Sequence, residues 1–138
     1  MSRATVVLFL LAPICFAQSS FSGNFRIRHI KRPGFSLAPT QLHEAEKLYQ
    51  SVCAVVQRDL PNNALRPRFT VSLGAERDEI HGTSEIWLKK WNPGAFVEGV
   101  VVLAVNHRLS ADMVQQLTKR AVQYNNAMVS VGDLKEGR

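Results

Sequence analysis

Apolar residues recur at three- and four-residue intervals from Leu42 through Ala45, Tyr49, Val52, Cys53 and Val56. That spacing predicts an amphipathic helix from Gln41 to about Leu60, capped by Thr40 and ended by Pro61-Asn62-Asn63. The period then changes to two. Phe69, Val71 and Leu73 alternate with polar residues, and in Thr83–Trp91 the residues Ile86 and Leu88 face one way while Glu85, Trp87, Lys89 and Trp91 face the other. Two strands are expected there, joined by a polar, turn-like stretch from Ala75 to Gly82. Asn92-Pro93 starts a second helix with a cap and a proline at its first position. Its run of valines suits strands as well, but the start signal and the length favour helix to about His107. Being apolar nearly all round, it should be the buried central helix. Ser110 caps a third helix carrying Met113, Leu117, Ala121, Tyr124 and Met128, and Met128–Leu134 closes the domain as a short strand.

The fold expected from this order is α+β: a small sheet packed against a buried central helix, with two further helices, in a single domain spanning 40–138. Residues 18–39 are a basic flexible arm or edge strand. Gln18–Gly23 is Ser/Gly-rich and expected to be disordered. Phe25 and Ile27 alternate with Arg26 and Arg28 until Pro33-Gly34 breaks the pattern. Residues 1–17 read as an export signal: Arg3, an apolar run from Ala4 to Phe16 too short to span a bilayer, and small residues at 15 and 17 before a cut at Gln18. The expected location is secreted or periplasmic, without a transmembrane segment after cleavage.

Charge and cysteine sharpen this picture. The formal net charge is +6, and loss of Arg3 leaves +5. Arg26, Arg28, Lys31 and Arg32 supply four of those charges in one short stretch, while the rest of the mature chain is nearly balanced. A basic stretch with aromatics can bind an anionic polymer or surface, or it can be a solvated strand whose charges keep it soluble. No nucleic acid is expected as partner. Trp87 and Trp91 on one strand face make either an apolar face under a helix or an exposed aromatic shelf for a ligand. Cleavage leaves Cys53 as the one cysteine, on the apolar stripe of the first helix, so an internal disulfide is excluded and a small buried hydrophobe is expected.

The order helix, strand, strand, buried helix, helix resembles the minimal zincin metallopeptidase scaffold over about Gln41 to Val131. In that family the buried helix carries H-E-x-x-H. Here the five positions fall on Leu103, Ala104, Val105, Asn106 and His107, and only the last histidine is present. Catalytic zinc needs three protein ligands and an open position for water. Leu103 cannot ligate, and Ala104 cannot take a proton. The resemblance therefore implies an inactive descendant whose site has become core; without it, His107 is simply a polar residue near a helix C-terminus, where a partial positive charge is favourable. His43-Glu44 invites the same comparison, but Lys47 stands where the second histidine belongs. Glu44 and Glu46 are expected to be first-turn acids favoured by the helix dipole. Glu76, Asp78, Glu79 and His81 fit neither a calcium loop nor a zinc pattern. Phosphate-cradling glycine loops and the G-x-S-x-G elbow are absent from the sequence.

Two functions follow as expectations. The first is a non-catalytic binding or interaction module, using Arg26, Arg28, Lys31, Arg32, Trp87 and Trp91, with no cofactor. The second is a zincin-like metal-dependent hydrolase with atypical ligands drawn from His43, His81 and His107. A purely structural role in an envelope complex is a third.

Overall fold

A computed structural model describes residues 17–63 and 66–135. Among them five strands and three helices form an α+β domain: β1 (Gln18–Ser19), β2 (Phe25–His29), α1 (Pro39–Asp59), β3 (Phe69–Leu73), β4 (Glu79–His81), β5 (Glu85–Leu88), α2 (Pro93–Ala104) and α3 (Ala111–Lys135). The expected export signal lies outside the described residues, Ala17 apart. None of the described helices is long and apolar enough to cross a membrane.

The sheet order is β1-β2-β3-β5-β4. β2, β3 and β5 run parallel, while β1 and β4 pair antiparallel at the two edges. The β2–β3 pair needs a long crossover, and α1 supplies it. Alternation along each strand then decides which residues meet the helices. Phe25, Ile27, Phe69, Val71, Leu73, Ile86 and Leu88 are all buried on one face. Phe25 and Phe69 stack at 5.2 Å, and both touch Tyr49 of α1 and Phe96 of α2. The core is therefore one layer between this face and the α1–α2 pair. α3 packs on those two helices through Val114, Leu117 and Ala121.

α2 is the buried helix its composition predicts: seven of its twelve residues are buried, and it packs against α1, α3 and β5. Asn92 Oδ1 accepts the Ala95 N–H at 3.2 Å, and Pro93 opens the first turn. The helix stops at Ala104 rather than at His107, because Asn106 and His107 turn left-handed with φ of 52° and 58°. Ser110 caps α3 as expected, its Oγ accepting the Met113 N–H.

Other expectations need correction. Residues 18–23 are ordered: Gln18 pairs with Ile27, and its amide both donates to Leu37 O and accepts from Leu37 N–H. Within the segment 18–39, β1 is the edge strand; Arg26 and Arg28 lie on the interior strand β2, and Lys31 and Arg32 follow its end. α1 begins at Pro39 with Ala38 as its cap, and the Gln41 side chain accepts the Ala38 N–H. Thr40 is thus inside the helix, and neither Glu44 nor Glu46 is in its first turn. Residues 79–81, expected within a turn, pair with β5 as the edge strand β4. Residues 128–134, expected as a strand, continue α3.

Candidate binding face on the uncovered side of the sheet

All three helices lie on one side, so the other face of the sheet carries no helix among the described residues. Its positions are the polar halves of the alternating strands: Arg26 and Arg28 on β2, Thr70 and Ser72 on β3, Glu85 and Trp87 on β5, and Glu79 and His81 on β4. Pairing brings them into three zones.

The middle zone is neutralised. The parallel register sets Arg28 opposite Ser72 and Ser72 opposite Trp87. Arg28 Nε donates to Ser72 Oγ at 2.8 Å, and Arg28 Nη2 donates to Glu85 Oε2 at 3.1 Å. Ser72 Oγ also donates to that carboxylate oxygen at 3.3 Å, and Ser72 is fully buried beneath the pair. Partial burial pushes the Glu85 carboxyl up, but the Trp87 indole, Arg28 and Ser72 together outweigh it and hold the carboxyl below its ordinary value. Trp87 Nε1 is itself buried and makes no hydrogen bond of good geometry among the described residues.

The β4 side holds an aromatic pair. His81 stacks on Trp87 with ring centroids 3.8 Å apart, and its Nε2 lies 2.7 Å from Glu79 Oε1. Arg77 Nε donates to the other Glu79 oxygen at 3.0 Å. The His81 hydrogen bond, then Arg77, hold the Glu79 carboxyl below its usual range. Trp87 and Trp91, read as sharing one strand face, do not share it. β5 ends at Leu88, the chain bends at Lys89-Lys90, and Trp91 turns to the core, 5.2 Å from Phe96.

The third zone is cationic. Arg26 is exposed and has no anionic partner among the described residues. Arg68, which immediately precedes β3, is exposed and unpaired in the same sense, and two-residue alternation puts it on the side of Thr70 and Ser72. Because Phe25 is level with Phe69, Arg26 and Arg68 are diagonal neighbours across the two strands. The four cations expected as one patch are thus divided. Arg28 is spent on Glu85, Arg32 lies 5.3 Å over the ring of Phe35, and Lys31 follows the far end of β2. Arg68 was missed by sequence reasoning. Its signal was the alternation Arg66, Arg68, Thr70, Ser72, which continues the polar face beyond the strand.

The alternative metal ligands do not converge. His43, exposed on α1, meets the edge of Phe21. His81 is engaged by Glu79 and Trp87. His107 Nε2 donates to Gly82 O at 2.7 Å, which pins the turn after α2 to the β4–β5 hairpin. Among the described residues no group of three His, Cys, Asp or Glu side chains is placed to hold a metal ion. Leu103 and Ala104, at the first two positions of the H-E-x-x-H pattern, are buried in the core. No family model, curated protein or solved structure matches the chain.

Proposed function

We propose that the chain is a non-catalytic binding module whose uncovered sheet face takes an extended anionic polymer. The observation that carries this reading is the pair Arg26 and Arg68, diagonal like charges without an anionic partner among the described residues, beside the neutralised centre of the sheet. Like charges so placed raise one another's free energy, and a bound anion relieves it. Lys31 and Arg32 follow the opposite end of β2, and Arg26 to His29 alone covers roughly 10 Å at strand rise. A single small anion cannot meet both ends, whereas a linear polyanion can.

The test is binding of fluorescent dextran sulfate to the whole chain at low and high ionic strength. The reading expects affinity that falls steeply with salt and drops at least tenfold in the Arg26→Gln/Arg68→Gln double variant. Undiminished binding by that variant, or none by the wild type at low salt, overturns it. The same variant should not lower the unfolding midpoint, because neither side chain makes a hydrogen bond or ion pair among the described residues, and relief of their mutual repulsion raises it slightly if it moves it at all.

A further inference from the structure

A second site lies on the helix side, away from the sheet face, and the inference from it is independent of the reading above. α1, the C-terminal half of α3, the β1–β2 turn and the segment before β3 enclose an open cleft of about 650 Å³. That volume is within the range of ligand pockets, about 300–1,000 Å³. Its wall is unusual for a groove between two helices. Glu46, Gln50 and Gln57 recur at helical spacing on α1, Asn125 faces them from α3, Asn24 comes from the turn, and the half-buried Tyr124 lines the same space.

Glu46 is the informative member. It is only 5% exposed, on a face where helix pairs ordinarily place an aliphatic residue. Burying a carboxyl costs stability unless it is bonded. Here the Ser22 N–H donates to Oε1 at 2.7 Å and Gln50 Nε2 donates to Oε2 at 3.3 Å. A carboxylate accepts about four hydrogen bonds, so capacity remains on the cleft wall. The amides are under-used in the same way. Gln57 makes no side-chain hydrogen bond among the described residues, Gln50 uses one donor, and Asn125 uses its carbonyl oxygen to accept from Ser51 at 3.4 Å. Spare donors and spare acceptors thus stand side by side in one cavity. The lining carries one acid, Glu46, and two bases, Lys47 and Arg66, a net charge of +1.

A ligand for such a wall must offer several groups that both donate and accept, carry little net charge and have an apolar face for a tyrosine ring. Vicinal hydroxyls on a sugar ring meet all three conditions. We propose that the cleft binds a neutral polyhydroxylated molecule, one or two sugar rings in size, with Gln57, Gln50, Asn125 and Glu46 as its hydrogen-bonding wall.

The experiment is a nitrogen–proton NMR titration of the full chain with D-glucose, D-galactose, N-acetyl-D-glucosamine and trehalose. Glucuronate and glycine serve as charged and zwitterionic comparators. At least one neutral sugar is expected to shift the side-chain amide signals of Gln50, Gln57 and Asn125 with millimolar or tighter affinity. Gln57→Ala, an exposed change that leaves folding intact, is expected to weaken that sugar tenfold or more. Tyr124→Phe, which keeps the ring, is expected to retain it. Silence toward all four neutral sugars overturns the proposal, as does binding confined to glucuronate or glycine, or full affinity in Gln57→Ala. Since Arg26 and Arg68 take no part, the titration gives the same result whether or not the sheet face binds a polyanion.

Discussion

Replacing Gly99 by alanine tests the close seating of α2 on the sheet, from which the one-sided architecture follows. A Cβ on Gly99 would come within 2.9 Å of Ile86 Cδ1, 3.1 Å of Ile86 Cγ2 and 3.2 Å of Ile80 Cδ1. In an open helix the exchange would gain about 0.8–1.0 kcal/mol of helix propensity. Here the new methyl must displace a side chain that is fully buried. Ile86 Cδ1 can rotate aside, but Cγ2 is fixed by the stiff χ1 of a β-branched residue. Overpacking of this kind costs about 1–3 kcal/mol. The balance is a net loss of about 1 kcal/mol. In urea, followed by far-ultraviolet circular dichroism, the midpoint should fall with an unchanged slope. A second variant isolates the cause. Ile86→Val removes Cδ1, the nearest atom, and alone costs about 0.5–1.5 kcal/mol. Combined with Gly99→Ala it should cost less than the sum of the two, because the valine vacates the space the alanine needs. If Gly99→Ala proves more stable than the wild type by its full helix-propensity gain, α2 does not press on β5, and the layering described above is wrong.

Three further outcomes follow from individual contacts. The Glu85 carboxyl is held below its ordinary value of 4.5, so its contribution to stability is complete above that pH and is lost as pH falls through the depressed folded value. Arg28→Ala should raise the carboxyl's NMR titration midpoint and flatten the acid limb of the stability profile; an unmoved midpoint would mean that Arg28 does not reach it. Burial pushes the Cys53 thiol above its ordinary range, against the neighbouring Tyr49 hydroxyl and the charge of Arg66. The native chain should therefore react slowly with a disulfide reagent at neutral pH and rapidly in denaturant, and a fast native phase would place the thiol outside the core. Arg120 Nη1 sits 2.6 Å from Asp59 Oδ2 across α3 and α1, yet the arginine is half-exposed, so Arg120→Ala should cost less than about 1 kcal/mol in a melting experiment.

What the sequence disclosed depended on how far each pattern ran. The α1 stripe, the alternation of β3 and β5 and the Asn92-Pro93 start each repeat over enough residues to mark themselves. β4 has three residues, of which Ile80 alone turns toward α2 while Glu79 and His81 stay on the polar face, so its pattern is a single apolar residue among polar ones. β1 has two residues and is held by the Gln18 amide reaching Leu37, a contact no local pattern encodes. The valines at 129 and 131 suggested a strand, but they are exposed residues on an extended α3, with no sheet position to fill. On the sheet face, the basic character of Arg26 and Arg28 was visible, whereas the difference between them was not. Arg28 meets an acid 57 positions later, and Arg26 meets none among the described residues. Trp91 left the face of Trp87 because the chain bends after Leu88, which alternation carried past the strand end cannot detect. Glu46 was legible as an acid on a helix, but only the approach of Ser22 reveals that it is enclosed.

These particulars share one cause. When helices cover a single face of a sheet, every second residue of every strand faces away from the core and needs a reason to stay soluble. The centre answers with mutual satisfaction: Arg28, Ser72 and Glu85 consume one another's hydrogen bonds, and Trp87 is covered by His81. A paired arginine so exposed adds little to stability. Its consequence is electrostatic, because it removes the charge that would otherwise join Arg26 to the cations beyond the far end of β2. What remains is Arg26 and Arg68 at one end of β2 and Lys31 and Arg32 beyond the other, and it is this division of charge on which the proposed affinity for a linear polyanion rests.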